Sequence, residues 1–432
     1  MKPDYEILMS SFSGIPFWSQ DVEDLNAHKV ELRKRYDFVI VGGGYTGLVA
    51  AIQLARRGLA VVVLDAMAPD GGASSRNGGQ ISGLNKPSYS TLKDRFGTDT
   101  AADLMQEGAH ALEWIKEFIK SEGLDCDLRV TGRFKGAHSA RAFDRLAKAV
   151  EIENTLLDSQ AFMVAPEDQR SEVATDFYHG GAVFPKHASL QPAKYHAELR
   201  RIAQEAGVDL RYLCRVNNVE KNATGYEAVT SLGKISATNI IVATNGYTTG
   251  QLPQFVRGII PISSRIIVTD ELPREVLNEV LPNDRVVNET RRVMYYYRQS
   301  PEGTRLIFGG RDKGGTNNAV LALHQEMSRL FPNLDGVGIS HSWAGLVGFT
   351  FDKMPHLGQL SNGIFYSLGY CGSGVSVSSY LGHKIAMLAL NDPAGETPFM
   401  ESPFPVKRLY SGNPWFLPLV SKGYHVMDRL GL

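Results

Sequence analysis

Residues 36–65 read YDFVIVGGGYTGLVAAIQLARRGLAVVVLD, and this stretch decides the fold. Residues 36–41 are a short β-branched run that predicts a buried strand. A glycine turn follows, then an Ala- and Leu-rich helix over 48–57 with Gly58 placed to end it. Residues 59–64 form a second buried strand that stops at Asp65. One βαβ unit inside 30 residues implies a parallel sheet. The turn carries Gly42-x-Gly44-x-x-Gly47. The first glycine permits the tight turn, the second lets backbone approach a pyrophosphate, and the third lets helix and strand pack closely. The helix N-terminus offers unpaired N–H groups to phosphate. Asp65 lies 65 − 42 = 23 residues after Gly42, where a carboxylate can accept ribose hydroxyls. These residues predict a dinucleotide site and leave NAD and FAD both open.

The rest of the chain bounds this reading. At 432 residues the expectation is two intimately joined domains. With 43% hydrophobic residues the chain can bury a large core, which excludes global disorder. Lys+Arg 45 against Asp+Glu 46 gives −1, which argues against a broad nucleic-acid surface. Cys126, Cys214 and Cys371 are far apart with no CxxC pair, so a reducing, cytoplasmic setting without disulfides is expected. Residues 1–14 lack the basic and apolar regions of a signal peptide, and no run is long enough to span a membrane. Residues 415–420 (WFLPLV) are read as part of a tail packed on the body, or as a shallow membrane or partner contact. HExxH, GxSxG, GxxxxGK[ST] and zinc-type Cys/His spacing do not occur, so no metal site is expected.

Further helices are expected over 98–120, 140–157 and 193–206, and strands near 209–212 and 240–243. Residues 257–269, 293–298 and 306–309 read as strands broken by Pro and Gly, and an antiparallel sheet is their expected product. A strand at 364–368 and a helix from about Val375 close the pattern. The expected fold is α/β (α+β overall), with a Rossmann-like nucleotide domain interwoven with a second domain built on a large, mostly antiparallel sheet. The first would take residues 36–120, 188–254 and 340–390, and the second 121–187 and 255–339. Residues 1–35 would lead in, their charged end at 31–35 solvated, and 391–432 would form the C-terminal tail.

Three later segments favour a flavin. Gly71-Gly72-Ala73-Ser74-Ser75-Arg76-Asn77-Gly78-Gly79-Gln80 follows the second strand and lets a flat ring and its polyol chain lie against backbone. An NAD enzyme has no need for such a loop there. Ile240 to Gly246 (IIVATNG) puts small residues at the ligand edge of the sheet. Gly369-Tyr370-Cys371-Gly372-Ser373-Gly374-Val375 opens a helix, a second site for an anion or a ring carbonyl.

The VIVGGGYTGLVAA run at 39–51, GASSRNGGQ at 72–80, WAG with D-x-x-P-x-x-G at 343–358 and GYCGSGV at 369–375 resemble the FAD-dependent oxidoreductases of the D-amino acid oxidase, glycine oxidase and sarcosine oxidase type. Within that family they are most similar to the gamma-glutamylputrescine oxidase subgroup, as is the ending PFP…DRLG at 403–431. The resemblance implies a bound FAD and a substrate domain whose sheet covers the ring. It assigns cofactor contacts to Gly42, Gly44, Tyr45, Thr46, Gly47, Asp65 and Ala66, and to the loop Ala73, Ser74, Ser75, Arg76, Asn77, Gly78, Gly79 and Gln80. It also assigns Val216 to the adenine, Ala243, Thr244 and Asn245 to the pyrophosphate side, and Gly372, Ser373, Gly374 and Val375 to the pyrimidine end.

Two departures inform the chemistry. Amino-acid oxidases of the glycine oxidase type carry W-x-G-L-R-P, whose arginine holds the substrate carboxylate; Val347 stands at that position here. An apolar side chain makes no bidentate carboxylate contact, which favours an amine without an adjacent carboxylate. The cysteine that tethers FAD in monomeric sarcosine oxidase-like members falls at Gly345, so non-covalent FAD is expected, with Cys371 read as a small buried residue. The implied reaction takes CH–NH to an imine that water hydrolyses to a carbonyl, on a small amine such as a gamma-glutamylated polyamine. Oxygen or another acceptor would reoxidise the flavin. The amine must react neutral, so aromatic and basic residues facing the flavin are sought. Tyr296, Arg311 and Tyr370 are the catalytic candidates. Alternation along 294–298 puts Tyr295 and Tyr297 on one face, Tyr296 and Arg298 on the other. A lone His187 reads as structural. The alternatives are a D-amino acid or secondary amino acid dehydrogenase, with Arg298 or Arg311 replacing the missing arginine, and a non-catalytic FAD-binding subunit.

Overall fold

The opening stretch folds as its pattern dictates. In the computed structural model, which describes residues 12–22, 33–83, 86–312 and 315–431, β1 (Arg35–Val41), α1 (Tyr45–Ala55) and β2 (Val61–Leu64) form a βαβ unit. β1 lies at the centre of a sheet, paired parallel with β2 and with the strand Gly233–Val242. Asp209–Arg211 extends one side and Phe365–Leu368 the other, both parallel, and His356–Gln359 adds an antiparallel edge. Buried Val and Ile on both faces of β1 and β2 match a sheet covered on both sides. α1 and the helix α3 described below pack on one face, with Leu48, Ile52, Leu381 and Ile385 buried among them.

The second sheet is built from β3 (Arg133–Gly136), β4 (Ile259–Thr269), β5 (Val286–Glu289), β6 (Tyr296–Gln299), β7 (Leu306–Arg311) and β8 (Ile339–Thr350). Across it the order is β8-β4-β7-β6-β5-β3, continued by Gly181–Phe184 and Phe162–Val164. Every pairing is antiparallel except β5 with β3. The fold is therefore the expected α/β arrangement with a large, mostly antiparallel sheet.

Because paired residues share a face, the registers define one row across six strands: Trp343, Ile266, Gly309, Tyr296, Asn288 and Lys135. The next row holds Gly345, Ser264 and Arg311. The opposite face carries Ile267, Phe308, Tyr297, Val287 and Phe134, buried with Val320, Leu323 and Met327 of α2 (Thr316–Leu330). One face is a core, and the other is turned toward the first sheet.

Some boundaries differ from expectation. Residues 340–390 contribute to both sheets, because β8 pairs with β4 before the chain returns through Phe365–Leu368 to α3 (Gly374–Ala389). β6 starts at Tyr296 rather than Val293, since Glu289 draws the preceding turn onto itself by accepting from the Tyr295 N–H and from Arg291. The lead-in lies partly outside the described residues, as does the run at 31–35 expected to be solvated. Its described part is anchored: Trp18 is fully buried against Trp343 and donates to Asn77 O. The end of the chain folds as a helix, Leu417–Arg429, with Trp415 and Leu419 about three-quarters exposed. No helix among the described residues is long and apolar enough to cross a membrane.

Candidate active site

The glycine turn makes one end of a groove of about 450 Å³. Gly42 has φ +109°, and a Cβ there would lie 2.7 Å from Ala243 O. A side chain at Gly47 would collide with Gly42 O, and one at Gly44 would lie 2.8 Å from Ser74 Oγ. The turn therefore closes only with glycines and leaves its backbone bare toward the groove. Gly44 caps α1 without a side-chain acceptor of its own; Ser74 Oγ accepts from the Tyr45 N–H at 3.0 Å, and the Thr46 and Gly47 N–H groups of the first turn are left for an anion. Asp65 accepts from Gly43 N–H at 2.7 Å and Met67 N–H at 2.8 Å. Burial raises its pKa, and the two N–H groups oppose that rise.

His196 reaches Gly43 O at 2.8 Å. A carbonyl only accepts, so Nε2 carries the proton, and desolvation holds this ring's pKa down at about 4, keeping it neutral. Tyr212 is the unfilled member: its ring lies against the Gly43–Asp65 corner while its buried hydroxyl has no partner. A bare glycine backbone, a helix N-terminus with N–H groups to spare and a hydroxyl orphaned among the described residues beside a carboxylate fit the ribose–pyrophosphate part of a dinucleotide.

From there the groove runs past Ala243, Thr244 and Asn245 to Leu346, Val347, Gly372, Gly374 and Val375. Gly42, Gly44, Tyr45, Thr46, Asp65, Ala66, Ala73, Ser74, Asn77 and Val216 also line it. Gly43, Met67, His196, Tyr212 and Arg215 line it as well, and the sequence reading missed them. Bare glycine and the strand-end corner gave a signal for Gly43, whereas His196 sits in a helix more than 150 residues away with none.

Other expected cofactor residues stand behind the wall. Gly47 makes the helix–strand approach, Ser75 donates to Gly72 O, and Arg76 binds Asp70 O and Ala344 O. Gln80 binds Val287 O and Tyr297 O, which ties the loop to the second sheet. Gly79 (φ +68°) takes its N–H to Asn77 Oδ1. Gly345 lies against Arg76, and Ser373 caps α3. The Cys371 thiol donates to Gly369 O, and burial pushes it up to about 11, so it is an inert buried thiol rather than a nucleophile.

The second sheet lines this groove through Leu346 and Val347 of β8, and Tyr296 of the same sheet packs against the 72–80 loop at Gly78. A Cβ on Gly78 would lie 2.9 Å from its ring, and a side chain on Gly309 would occupy the ring's place. Ser264 Oγ donates to Gly310 O, so Tyr296 Oη donates to Ser264 Oγ at 3.0 Å. Arg311 is half-buried and has no hydrogen-bond or ionic partner among the described residues. Tyr370 lines the groove, and its hydroxyl is committed to Thr46 and Ser367, at 2.6 and 2.8 Å, bracing the first turn of α1 against the strand Phe365–Leu368. Arg298 gives Nε to Gln299 O and Nη1 to Gly79 O and Leu190 O, with Trp18 over its guanidinium, and its buried Nη2 has no partner among the described residues. His187 is buried and stacked on Phe184, and burial holds it neutral. Among the described residues no group of His, Cys, Asp and Glu could hold a metal ion.

Comparison with known proteins agrees with this geometry. Residues 37–388 match the family described as FAD dependent oxidoreductase, DAO. The chain is 29% identical over 411 residues to gamma-glutamylputrescine oxidoreductase of Escherichia coli K12, covering 92% of this chain and 93% of that protein. It is 24% identical over 402 residues to sarcosine oxidase subunit beta of an Arthrobacter species, covering 89% and 93%. Among solved structures, glycine oxidase from Geobacillus kaustophilus superposes with a TM-score of 0.74 at 20% identity, over 87% of this chain and 99% of that one.

Proposed function

The chain belongs to the DAO family of FAD-dependent oxidoreductases, and from that premise we propose that it oxidises a small amine, of the gamma-glutamylated polyamine class, at a CH–NH bond. FAD, held non-covalently, supplies the two-electron acceptor when bound. Carbon loses a hydride and nitrogen a proton, and water then adds to the imine to release a carbonyl compound and ammonia or an amine.

The chain's own residues bind, orient and dry. The Gly42–Gly47 turn and the α1 N-terminus take the pyrophosphate, Asp65 and Tyr212 the ribose end, and the α3 N-terminus the ring's polar edge. Gly345 stands where a tethering cysteine would be, and the Cys371 thiol is turned to Gly369 O, which supports a non-covalent cofactor. Tyr296, Val347 and Ser264 face the ring side; burial there lowers an amine's pKa toward the neutral form that reacts.

The observation that carries the substrate reading is Val347. It lines the groove beside Leu346, and it has no charge with which to hold a carboxylate next to the reacting carbon. The test is turnover under air with amines, gamma-glutamyl amines and both amino acid enantiomers, with carbonyl products trapped and identified by mass. Aldehydes from the amines support the reading; 2-oxo acids alone would replace it. The amino acid reading keeps two supporting observations among the described residues, the unpartnered Arg311 and the buried, unpartnered Nη2 of Arg298, whose Nε and Nη1 are held by backbone carbonyls.

A further inference from the structure

The flavin-facing row does not end at Tyr296. Two strand spacings further on, roughly 10 Å away, it reaches Asn288 and then Lys135. Lys135 makes no hydrogen bond or ion pair among the described residues, and burial lowers its pKa. Asn288 is 9% exposed, and its side-chain oxygen has no partner. Lys86 enters from the flavin loop side: among the described residues its Nζ meets only Met294 Sδ, at 3.8 Å, and a Cβ on Gly372 would lie 3.6 Å from its Cε. The Lys86 side chain is exposed, and the protein packed around its ammonium desolvates it enough to bring it down to about 8.

Arg133, two residues along β3 on the same face, also leaves its buried Nε unpartnered. Glu153 is the carboxylate coupled to Lys135 and Arg133, and it is not within ion-pair distance of either. His187 nearby is held neutral. An exposed Lys86, a half-buried Lys135 and a buried Arg133 Nε without a partner among the described residues put unneutralised positive charge beside the orphaned Asn288 Oδ1, and that grouping points to an anion that visits.

We propose that Lys86 and Lys135 form an anion subsite that receives a carboxylate at the far end of the amine, with Asn288 Oδ1 accepting from an ammonium beside it. The subsite rests on the amine-oxidation reading above and selects an amine whose distal end is an α-aminocarboxylate. At ~1.2 Å per bond, as in extended backbone, about eight bonds separate that headgroup from the reacting carbon. An α-amino acid is too short to use both ends, which gives Val347 its counterpart: the carboxylate is recognised, but remotely.

The test uses the full-length, FAD-loaded protein and its variants Lys86→Gln, Lys135→Gln and Lys135→Arg, each checked for bound flavin and near-UV circular dichroism. Rapid anaerobic reduction is followed with gamma-glutamyl-1,4-diaminobutane and with N-butanoyl-1,4-diaminobutane, which lacks the charged headgroup. Each Lys→Gln change should erode the preference in Kd for the charged amine by about ten-fold or more, as loss of a charge-assisted hydrogen bond does, and Lys135→Arg should restore it. An unchanged preference in both glutamine variants overturns the subsite. A parallel titration with L-glutamate reads binding through perturbation of the flavin spectrum. If no amine reduces the flavin, the parent reading falls and this titration alone decides. Saturable, lysine-dependent perturbation supports the subsite; none, or none that depends on the lysines, overturns it.

Discussion

At Gly42 the backbone sits at φ +109° with Ala243 O where a side chain would go. Gly42→Ala adds both strain and a collision, so the purified variant should lose FAD and melt lower, by on the order of 1–3 kcal/mol of stability. Flavin content and Tm read this directly, and a yellow variant of unchanged Tm would contradict it. Glu153 carries a pH dependence. Burial raises its pKa from 4.5 to about 7, so between those values the folded chain holds a proton that the unfolded chain has released. Stability from this group is fully present below pH 4.5 and is lost as pH rises to 7. Glu153→Gln should therefore flatten the fall in Tm across pH 4.5–7 and melt higher than the parent at pH 8, by about 1–3 kcal/mol. A parallel pair of Tm–pH curves would contradict it. Asp65 and the glycines of the turn were legible from sequence because each acts within a few residues of a strand end. Tyr370 lines the groove as its place beside the glycines suggested, whereas the commitment of its hydroxyl to Thr46 and Ser367 was not legible, because the adjoining glycines announce a turn but not which way the ring leaves it.

At the scale of elements, β1–α1–β2 could be read to within three residues at each end, since hydrophobic runs, helix periodicity and glycines all act locally there. The row through Tyr296 could not. It joins β3, β5, β6, β7, β4 and β8, strands that lie up to 208 residues apart in the chain (343 − 135), and pairing across such separations leaves no local pattern. Alternation within 294–298 did place Tyr296 and Tyr297 on opposite faces, and the structure puts Tyr297 against Phe308 and Tyr296 against Gly78. Lys135, on a four-residue strand, has no sequence signal at all. This row predicts that Gly309→Ala, which adds a methyl where the Tyr296 ring lies, leaves FAD bound while slowing flavin reduction by amines at least ten-fold. Equal reduction rates in stopped flow would remove Tyr296 from the ring-facing wall.

Across the whole molecule, the two sheets meet along the loop at 72–80, and the cofactor groove touches both the first sheet and β8. FAD thus binds a surface that exists only when both sheets are folded and docked. Ligand linkage gives about 2.7 kcal/mol of added stability at a hundred-fold excess over Kd, so stripping the flavin should lower Tm by several degrees and readdition should restore it. The glycines, spread through the sequence, converge where backbone must approach the cofactor or the covering ring: 42–47, 78–79, 309 and 372–374. The most direct test of the account is anaerobic mixing of the FAD-loaded protein with a gamma-glutamyl alkylamine, followed at the flavin absorbance. Complete bleaching at low amine concentration, with α-amino acids leaving the flavin oxidised, is the result predicted. Bleaching by amino acids with none by the amine would contradict it.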